Sequence, residues 1–310
     1  MQTCSAIIPT FNRAHLIAAA IESALGQTCP PREIIVVDDG STDDTARVLA
    51  PYQDRIQYVV QPNQGPAAAR NHGFRLARSD FIALLDSDDL WVPDRLARQQ
   101  SLLAREPRLD VLFGRELVFA EGQPDRDWNL HDPEVRRRLQ ATDGPLEDAP
   151  GLLVRENFLP TSSTLFRRTF LEQAGPINPR FRQAEDHDFW LRLALAGARF
   201  GYVPAPLCRR RMHGDNLIHD WFARTLATVR VLEQHAARLA PWRTALQARL
   251  GALHYDLGSR YLYARDFAAA HRHLTAAGQQ GRRDLRLSLK LAGARLGAWL
   301  QPNPSLPCRT

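Results

Sequence analysis

Four short apolar runs recur in the first hundred residues, each closed by polar or turn-forming residues and followed by a helical pattern. Ala6-Ile7-Ile8 is stopped by Pro9 and Thr10, and Ile34-Ile35-Val36-Val37 by Asp38-Asp39-Gly40-Ser41. Ile56-Gln57-Tyr58-Val59-Val60 follows, then Phe81-Ile82-Ala83-Leu84-Leu85, which ends at Asp86. A strand with one wetted face alternates apolar and polar residues, whereas a near-continuous run reads as a strand covered on both faces. Between the runs, residues 14–25 place Leu16, Ala20, Ile21, Ala24 and Leu25 at helical spacing. Further helices are expected from Asp43-Asp44 and over 65–77. This alternation predicts an α/β fold with a mostly parallel sheet flanked by helices. Ligands of such sheets sit beyond the carboxyl ends of the strands. Thr10, Asp38-Asp39 and Asp86 to Asp89 are therefore the first positions to consider.

Farther along, a helix is expected at about 93–104 and a strand at Val111-Leu112-Phe113. Residues 121–151 are rich in Asp, Pro, Gly and Arg. They read as a long, lid-like loop with one short helix around 133–140. Order returns over 161–174 and in a helix at 184–197, with Phe189, Trp190, Leu193 and Leu195 buried. From about 217 the pattern is almost purely helical. Leu257 to Leu262 and Asp266 to Leu274 suggest one helical hairpin, too little for a repeat array. Over 285–300, Leu285, Leu287, Leu289, Leu291 and Leu296 lie among Arg286, Lys290 and Arg295. That stretch fits an interfacial amphipathic helix and a core helix equally well.

With 44% hydrophobic and 24% charged residues over 310 positions, the chain is globular rather than disordered. Its formal charge of +6 is uneven: residues 1–204 carry 23 basic and 28 acidic side chains, and residues 205–310 carry 17 and 6. Such a basic region suits nucleic acid, an anionic membrane surface or an anionic acceptor. Lys290 is the only lysine, so the bias toward Arg weakens the charge as a functional signal. Cys4, Cys29, Cys208 and Cys308 form no paired motif, which fits reduced thiols in a cytoplasmic protein. The residues before the first strand do not read as a signal peptide, and no stretch reaches the roughly 18 apolar residues expected of a spanning helix. The expectation is a soluble protein, with attachment to the inner face of a membrane left open.

The usual phosphate-binding signatures are missing. No G-x-G-x-x-G follows the first strand, no G-x-x-x-x-G-K-[ST] occurs, and Asp39 to Ala50 fails as an EF-hand loop because its sixth position is Asp44 and its twelfth Ala50. A phosphate ligand would then be met through a divalent metal held by carboxylates. Asp86-Ser87-Asp88-Asp89 suits Mg²⁺ or Mn²⁺, hard cations that bind through one or two carboxylates plus substrate phosphates. One Asp would suffice to cap the following helix. Three acids in four residues repel one another unless a cation is present.

At this point the order and spacing of the motifs resemble a known family. Ile7-Ile8-Pro9-Thr10-Phe11-Asn12-Arg13, Val36-Val37-Asp38-Asp39-Gly40-Ser41-Thr42-Asp43, Asn63 to Asn71 and Leu84 to Trp91 look like the opening of the family 2 glycosyltransferases of the GT-A fold. The resemblance implies an inverting enzyme that uses a nucleotide-diphospho-sugar donor and Mn²⁺ or Mg²⁺. Its donor site would comprise Pro9, Thr10, Asp39, Arg70, Asp86 and Asp88, and its metal ligands would come from Asp88, Asp89 and His213. Ala184-Glu185-Asp186-His187-Asp188 resembles the family's Glu-Asp motif, which implies Asp186 as general base with Glu185, Thr161 and Ser162 on the acceptor side. Chemically, the acceptor hydroxyl needs a carboxylate within hydrogen-bond reach, and the diphosphate leaving group needs its growing charge neutralised. Plainer roles stand beside these: turn and cap duties for Asp39, a surface ion pair for Arg70, helix-dipole effects for Asp186 and Asp188, a loop histidine at 213, and packing for Trp91.

The resemblance covers about residues 4–215 and implies a 1–215 catalytic domain, a 216–300 helical region of open role and a flexible tail at 301–310. The expected acceptor is a glycan or lipid-linked hydroxyl in cell-surface polysaccharide synthesis, with no nucleic-acid partner and with homo-oligomerisation through the helical region left open. The rivals are a nucleotidyltransferase, which would need a Gly-rich, Lys-bearing loop absent after Ile8, and a non-catalytic nucleotide-sugar-binding scaffold.

Overall fold

The computed structural model describes residues 2–120, 122–213 and 220–300. The tail expected at 301–310, Cys308, and the residues just after His213 lie outside the described residues. The chain divides into two compact units, Met1–Leu217 and Ile218–Thr310.

The first unit opens with β1 (Cys4–Thr10), α1 (Ile17–Leu25), β2 (Glu33–Asp38), α2 (Thr45–Leu49), β3 (Gln57–Val60), α3 (Pro66–Leu76) and β4 (Phe81–Leu84). It continues through β5 (Leu90–Trp91), α4 (Arg95–Arg105), β6 (Val111–Phe119), β7 (Arg126–Asp127), α5 (Pro133–Gln140), β8 (Gly144–Leu146) and α6 (Ala149–Arg155). After a 3₁₀ turn at Thr161–Ser163 come β9 (Leu165–Arg167), α7 (Phe170–Ala174), α8 (Glu185–Leu195) and β10 (Phe200–Arg211). Among the described residues the strands make one sheet in the order β3-β2-β1-β4-β9-β6-β10-β5, with β7 on β6 and β8 on β10. The long ladders, β1 with β2 and β4, β2 with β3, and β6 with β10, are parallel. The short ones, including β9 between β4 and β6, are antiparallel.

All seven residues of β1 are buried, and so is every residue of β2 after Glu33, as expected for strands covered on both faces. From β1 the chain builds outward to β2 and β3, then returns to place β4 on the other side of β1. Strand order reverses there, and open α/β sheets bind ligands beyond the carboxyl ends of their strands at such a point. Thr10 ends β1, and Asp86 lies just past β4.

Helix α3 lies close on this sheet because Gly73 has no side chain. A Cβ there would collide with Cγ2 of Ile7, a fully buried residue of β1. Gly73→Ala should therefore lower stability by about 1–3 kcal/mol despite alanine's better helix propensity, read as a shift of the urea midpoint.

Two stretches differ from the sequence expectation. Within 121–151, the helix at 133–140 is present, capped by the Asp132 carboxylate on the Glu134 and Val135 amides. A second helix, α6, begins in the same stretch on the Asp148 side chain, which accepts from the Gly151 amide. Pro150 sits in its first turn, where a proline costs nothing because that amide has no helical partner. The strand expected at 111–113 runs on to Phe119, and β10 joins it along nine paired positions.

In the second unit, α9 (Trp221–Gln234), α10 (Arg243–Tyr263), α11 (Phe267–Gln279) and α12 (Leu285–Leu300) follow one another. α10 and α11 form the expected hairpin. His273 of α11 stacks on Tyr261 of α10, with ring centroids 5.4 Å apart and 11° between planes. Leu274, Ala277, Leu287 and Ala294 form the buried seam of α11 and α12.

Candidate functional site

Aromatic packing sets the frame of the site. Phe74 of α3 stacks on Phe189 of α8 at 6.0 Å, and Phe166 of β9 meets both rings edge-on. Arg70 stands four residues before Phe74, and Glu185 four before Phe189, so the stacked rings bring these two side chains face to face one turn higher. Arg70 Nη1 donates to Glu185 at 3.1 Å, and Nη2 donates to Asp86 at 2.7 Å. Arg70 is 7% exposed. Burial alone would lower its pKa, but the charges of Asp86 and Glu185 outweigh burial and raise it. Its Nε is buried without a hydrogen-bond partner. Burial, with the Asp186 charge adding, pushes the Glu185 carboxyl up to about 7 against the pull of Arg70. The neighbouring Asn71 holds the approach to α8, its amide exchanging hydrogen bonds with the Ile177 backbone at 2.7 and 2.9 Å.

Past β4 the acidic residues part company. Asp88 turns outward: its Oδ2 lies 3.1 Å from His213 Nε2 and 4.0 Å from Arg13 Nε. Asp89 turns inward and is 3% exposed. It accepts from Ser162 Oγ at 2.6 Å and from the Arg211 amide at 3.1 Å. Burial first, then the charges of Asp88, Asp86 and Glu116, push its carboxyl well above the ordinary value. Asp89 was expected among the metal ligands; here both its oxygens tie the acidic loop to the 3₁₀ turn and to β10. Ser162, expected on the acceptor side, belongs to the same tie, since its hydroxyl also accepts from the Asp86 amide at 3.1 Å. Thr161, one residue earlier, is half-buried.

On the β1–β2 side, Pro9 and Thr10 are buried, and the Thr10 hydroxyl has no hydrogen-bond partner. The Asp39 carboxylate accepts from Gln61 Nε2 at 2.7 Å and from the Gln64 and Gly65 amides at 2.9 and 2.7 Å. Those bonds shape the loop that leads into α3, where Gly65 has a φ of +90°. Three of the carboxylate's roughly four lone-pair positions are thereby used.

Asp186 lies in the first turn of α8. Its Oδ2 accepts from Asn157 Nδ2 at 2.9 Å and its Oδ1 from the His187 amide at 2.7 Å. The preceding Ala184 has a φ of +59°, a left-handed conformation costly for a residue with a Cβ. Such outliers persist where the surroundings over-determine them, commonly at working sites. Asp188 and His187 serve the fold: Asp188 is fully buried against Arg192 at 2.8 Å, and His187 Nε2 meets the Leu153 carbonyl. Trp91 is buried beneath the Arg95 guanidinium, so it packs the floor below the acidic loop.

A cleft of about 430 Å³ is lined by Phe113, Glu116, Trp128, Phe158, Pro160 and Tyr202 among others. Phe158 directly follows Asn157, the Asp186 partner. Glu116, which the sequence reading did not single out, is buried and pairs with Arg210 at 3.3 Å. Burial pushes its carboxyl from 4.5 up to about 7, with Arg210 working against the rise. Between those two values the folded protein keeps a proton that the unfolded chain has lost. The group's contribution to stability is thus complete below about 4.5 and is lost as pH rises through 7. Glu116→Gln should be more stable than the natural chain by about 1–2 kcal/mol at alkaline pH, and the gap should close toward pH ~5 in urea melts.

Among the described residues no three His, Cys, Asp or Glu side chains gather into a metal cage. Asp88 nonetheless fits an ion that takes its remaining ligands from substrate phosphates, since a carboxylate is a good donor to Mn²⁺ or Mg²⁺, and the His213 imidazole beside it suits the softer Mn²⁺ better than Mg²⁺.

Comparison with known proteins agrees with this layout. The family described as glycosyl transferase family 2 matches residues 5–172. An uncharacterized glycosyltransferase of Nostoc is 31% identical over 221 residues, which cover 68% of this chain and 65% of that protein. The succinoglycan biosynthesis protein ExoU of Rhizobium meliloti is 30% identical over 268 residues, covering 83% of this chain and 75% of its own length. Among solved structures, residues 1–349 of S. aureus TarS in complex with UDP-GlcNAc superpose with a TM-score of 0.69 at 17% identity, over 98% of this chain and 93% of that one. The α/β architecture is thus the GT-A fold with helices after it. With motifs, fold and curated relatives in agreement, the chain belongs to the family 2 glycosyltransferases.

Proposed function

We propose that the protein transfers a sugar from a nucleotide-diphospho-sugar to a hydroxyl of a glycan or lipid-linked acceptor, with inversion at the anomeric carbon, in cell-surface polysaccharide synthesis. The observation that carries this reading is a chain of contacts: Arg70 bridges Asp86, two residues before the Asp88–His213 pair, to Glu185, the neighbour of the separate carboxylate Asp186. The donor's nucleotide lies over the ends of β1 and β2, near Thr10 and Asp39. Arg70 stands behind Asp86 and fixes the direction of its carboxylate.

Asp88 and His213 would hold the divalent ion, which when bound supplies positive charge to the diphosphate. Asp186 takes the proton from the acceptor hydroxyl at a carboxylate oxygen as that hydroxyl attacks. Asn157 and the His187 amide keep this carboxylate oriented. The aromatic cleft that Phe158, the residue after Asn157, helps to line seats the acceptor: sugar rings present C–H faces that pack on side chains such as Trp128, and polar groups such as Glu116 meet their hydroxyls. A single base on the side opposite the leaving group gives direct displacement. ExoU's role in succinoglycan biosynthesis supports a polysaccharide product. The TarS complex supports a UDP-sugar as the first donor to try.

The test is a transfer assay with a panel of nucleotide sugars and Mn²⁺, with the anomeric configuration of the product read by NMR. Inverted product is expected, and retained configuration would overturn the assignment of Asp186. A failure of every donor to bind, read by thermal shift in the presence of Mn²⁺, would overturn the donor class itself.

A further inference from the structure

The outer face of α12 carries a line of exposed apolar side chains. Leu285 is 74% exposed, Leu289 63%, Leu296 59% and Trp299 77%. With the exposed Ala292, their spacings are four, three, four and three residues. At about 100° per residue these five positions fall within an arc of about 80°. The sequence left a core helix and an interfacial helix equally open for this stretch, and the helix in fact has both faces. Leu287 and Ala294 enter the seam with α11, while the other line faces solvent. Polar replacement on the outer line would cost the fold little, so its apolar character is not explained by packing within the unit.

Charge decides among possible occupants. Residues 282–300 carry Arg282, Arg283, Arg286, Lys290 and Arg295 against Asp284 as the one acid. On the helical wheel Arg286 flanks one side of the apolar arc and Arg295 the other. A second copy of this helix would bring like charges together along both rims, which opposes self-association. An anionic lipid surface meets both features, taking the leucines into its acyl boundary and the guanidiniums against its phosphates.

The aromatic residues agree. Gly297 lets α12 lie against the Phe267 ring at the start of α11, so Trp299 and the 93% exposed Tyr263, at the adjoining end of α10, mark the same end of the helical unit. Trp and Tyr favour the headgroup level of a bilayer. Among the described residues no helix is long and apolar enough to cross a membrane, so this contact lies on the surface and does not span it.

We propose that the outer face of α12 docks the protein onto the surface of an anionic phospholipid bilayer. Co-sedimentation of the full chain with vesicles tests it, using phosphatidylcholine alone or mixed with an equal part of phosphatidylglycerol. The natural chain should sediment with the anionic vesicles and stay in solution with the neutral ones. Leu289→Glu should abolish sedimentation, and Arg286→Glu should weaken it by about tenfold or more, both with unchanged circular dichroism. Three results would overturn the proposal: no sedimentation with anionic vesicles, sedimentation untouched by Leu289→Glu, or a natural chain that elutes as a dimer, ignores vesicles and becomes monomeric on Leu289→Glu. None of these readouts depends on glycosyl transfer, so the outcome is separable from that of the catalytic reading.

Discussion

Asp186→Asn should lower kcat by about a hundred- to ten-thousandfold, the range that a general base contributes. The amide keeps the size of the carboxylate and can still meet Asn157 and the α8 backbone, but it cannot take a proton. Donor affinity should stay within a few-fold of the natural value, because Asp186 is held by Asn157 and the His187 amide and not by the Asp88–His213 pair. The paired measurement is kcat for transfer and nucleotide-sugar binding by calorimetry. A variant that lost donor binding and kept its turnover would assign Asp186 to the donor instead. Asn157→Ala supplies an internal control: it leaves the carboxylate but frees one oxygen, so its loss should be the smaller of the two.

The second large effect is expected at Asp88. Asp88→Ala removes the outward carboxylate while leaving Asp89 and Ser162, which hold the loop, in place. Metal-dependent donor binding should fall below detection, and kcat should fall by about a thousandfold, as when a group stabilising charge on a leaving group is lost. Thermal shift with UDP-sugar and Mn²⁺ separates this from unfolding: the variant should melt near the natural temperature without ligand and gain nothing on addition. Asp89→Ala should behave in the opposite way. It removes a buried carboxyl that joins three chain segments, so its damage should appear first in the melting temperature. Equal effects at the two positions would contradict the division of labour proposed for the acidic loop.

Much of this was legible in the chain, and the limits have physical causes. Runs such as Phe81 to Leu85 announce their strands because burial on both faces leaves no alternation to misread. β10 was not read as a strand because Pro204 and Pro206 interrupt it and three consecutive arginines end it; the ladder absorbs the prolines as register shifts between Val203 and Cys208. α6 was hidden by Pro150 and Gly151, which usually signal a loop but here occupy the first turn of a helix. At the site, residue type indicated the acids but not their directions. Nothing local distinguishes Asp88 from Asp89, since what turns Asp89 inward is a hydroxyl 73 residues away and an amide 122 residues away. Asn157 and Glu116 escaped notice for the same reason, as each owes its place to a partner far along the chain.

Those long separations bear on how the protein comes to be folded. Contacts between distant segments must wait for large loops to close, and chains rich in them fold slowly. The hydrogen bonds that join Asp86 and Asp89 to Ser162, Asp89 to Arg211, and Arg70 to Glu185 span 73 to 122 residues. A nascent chain that has completed β1 through β4 already possesses most of the donor-side residues and none of these ties. Its acidic loop would then hold Asp86 directed by Arg70, but Asp88 without His213 and Asp89 without Ser162 and the Arg211 amide. Competence to bind a donor should consequently arrive with the last, global step of folding, after β10 has been added to the sheet.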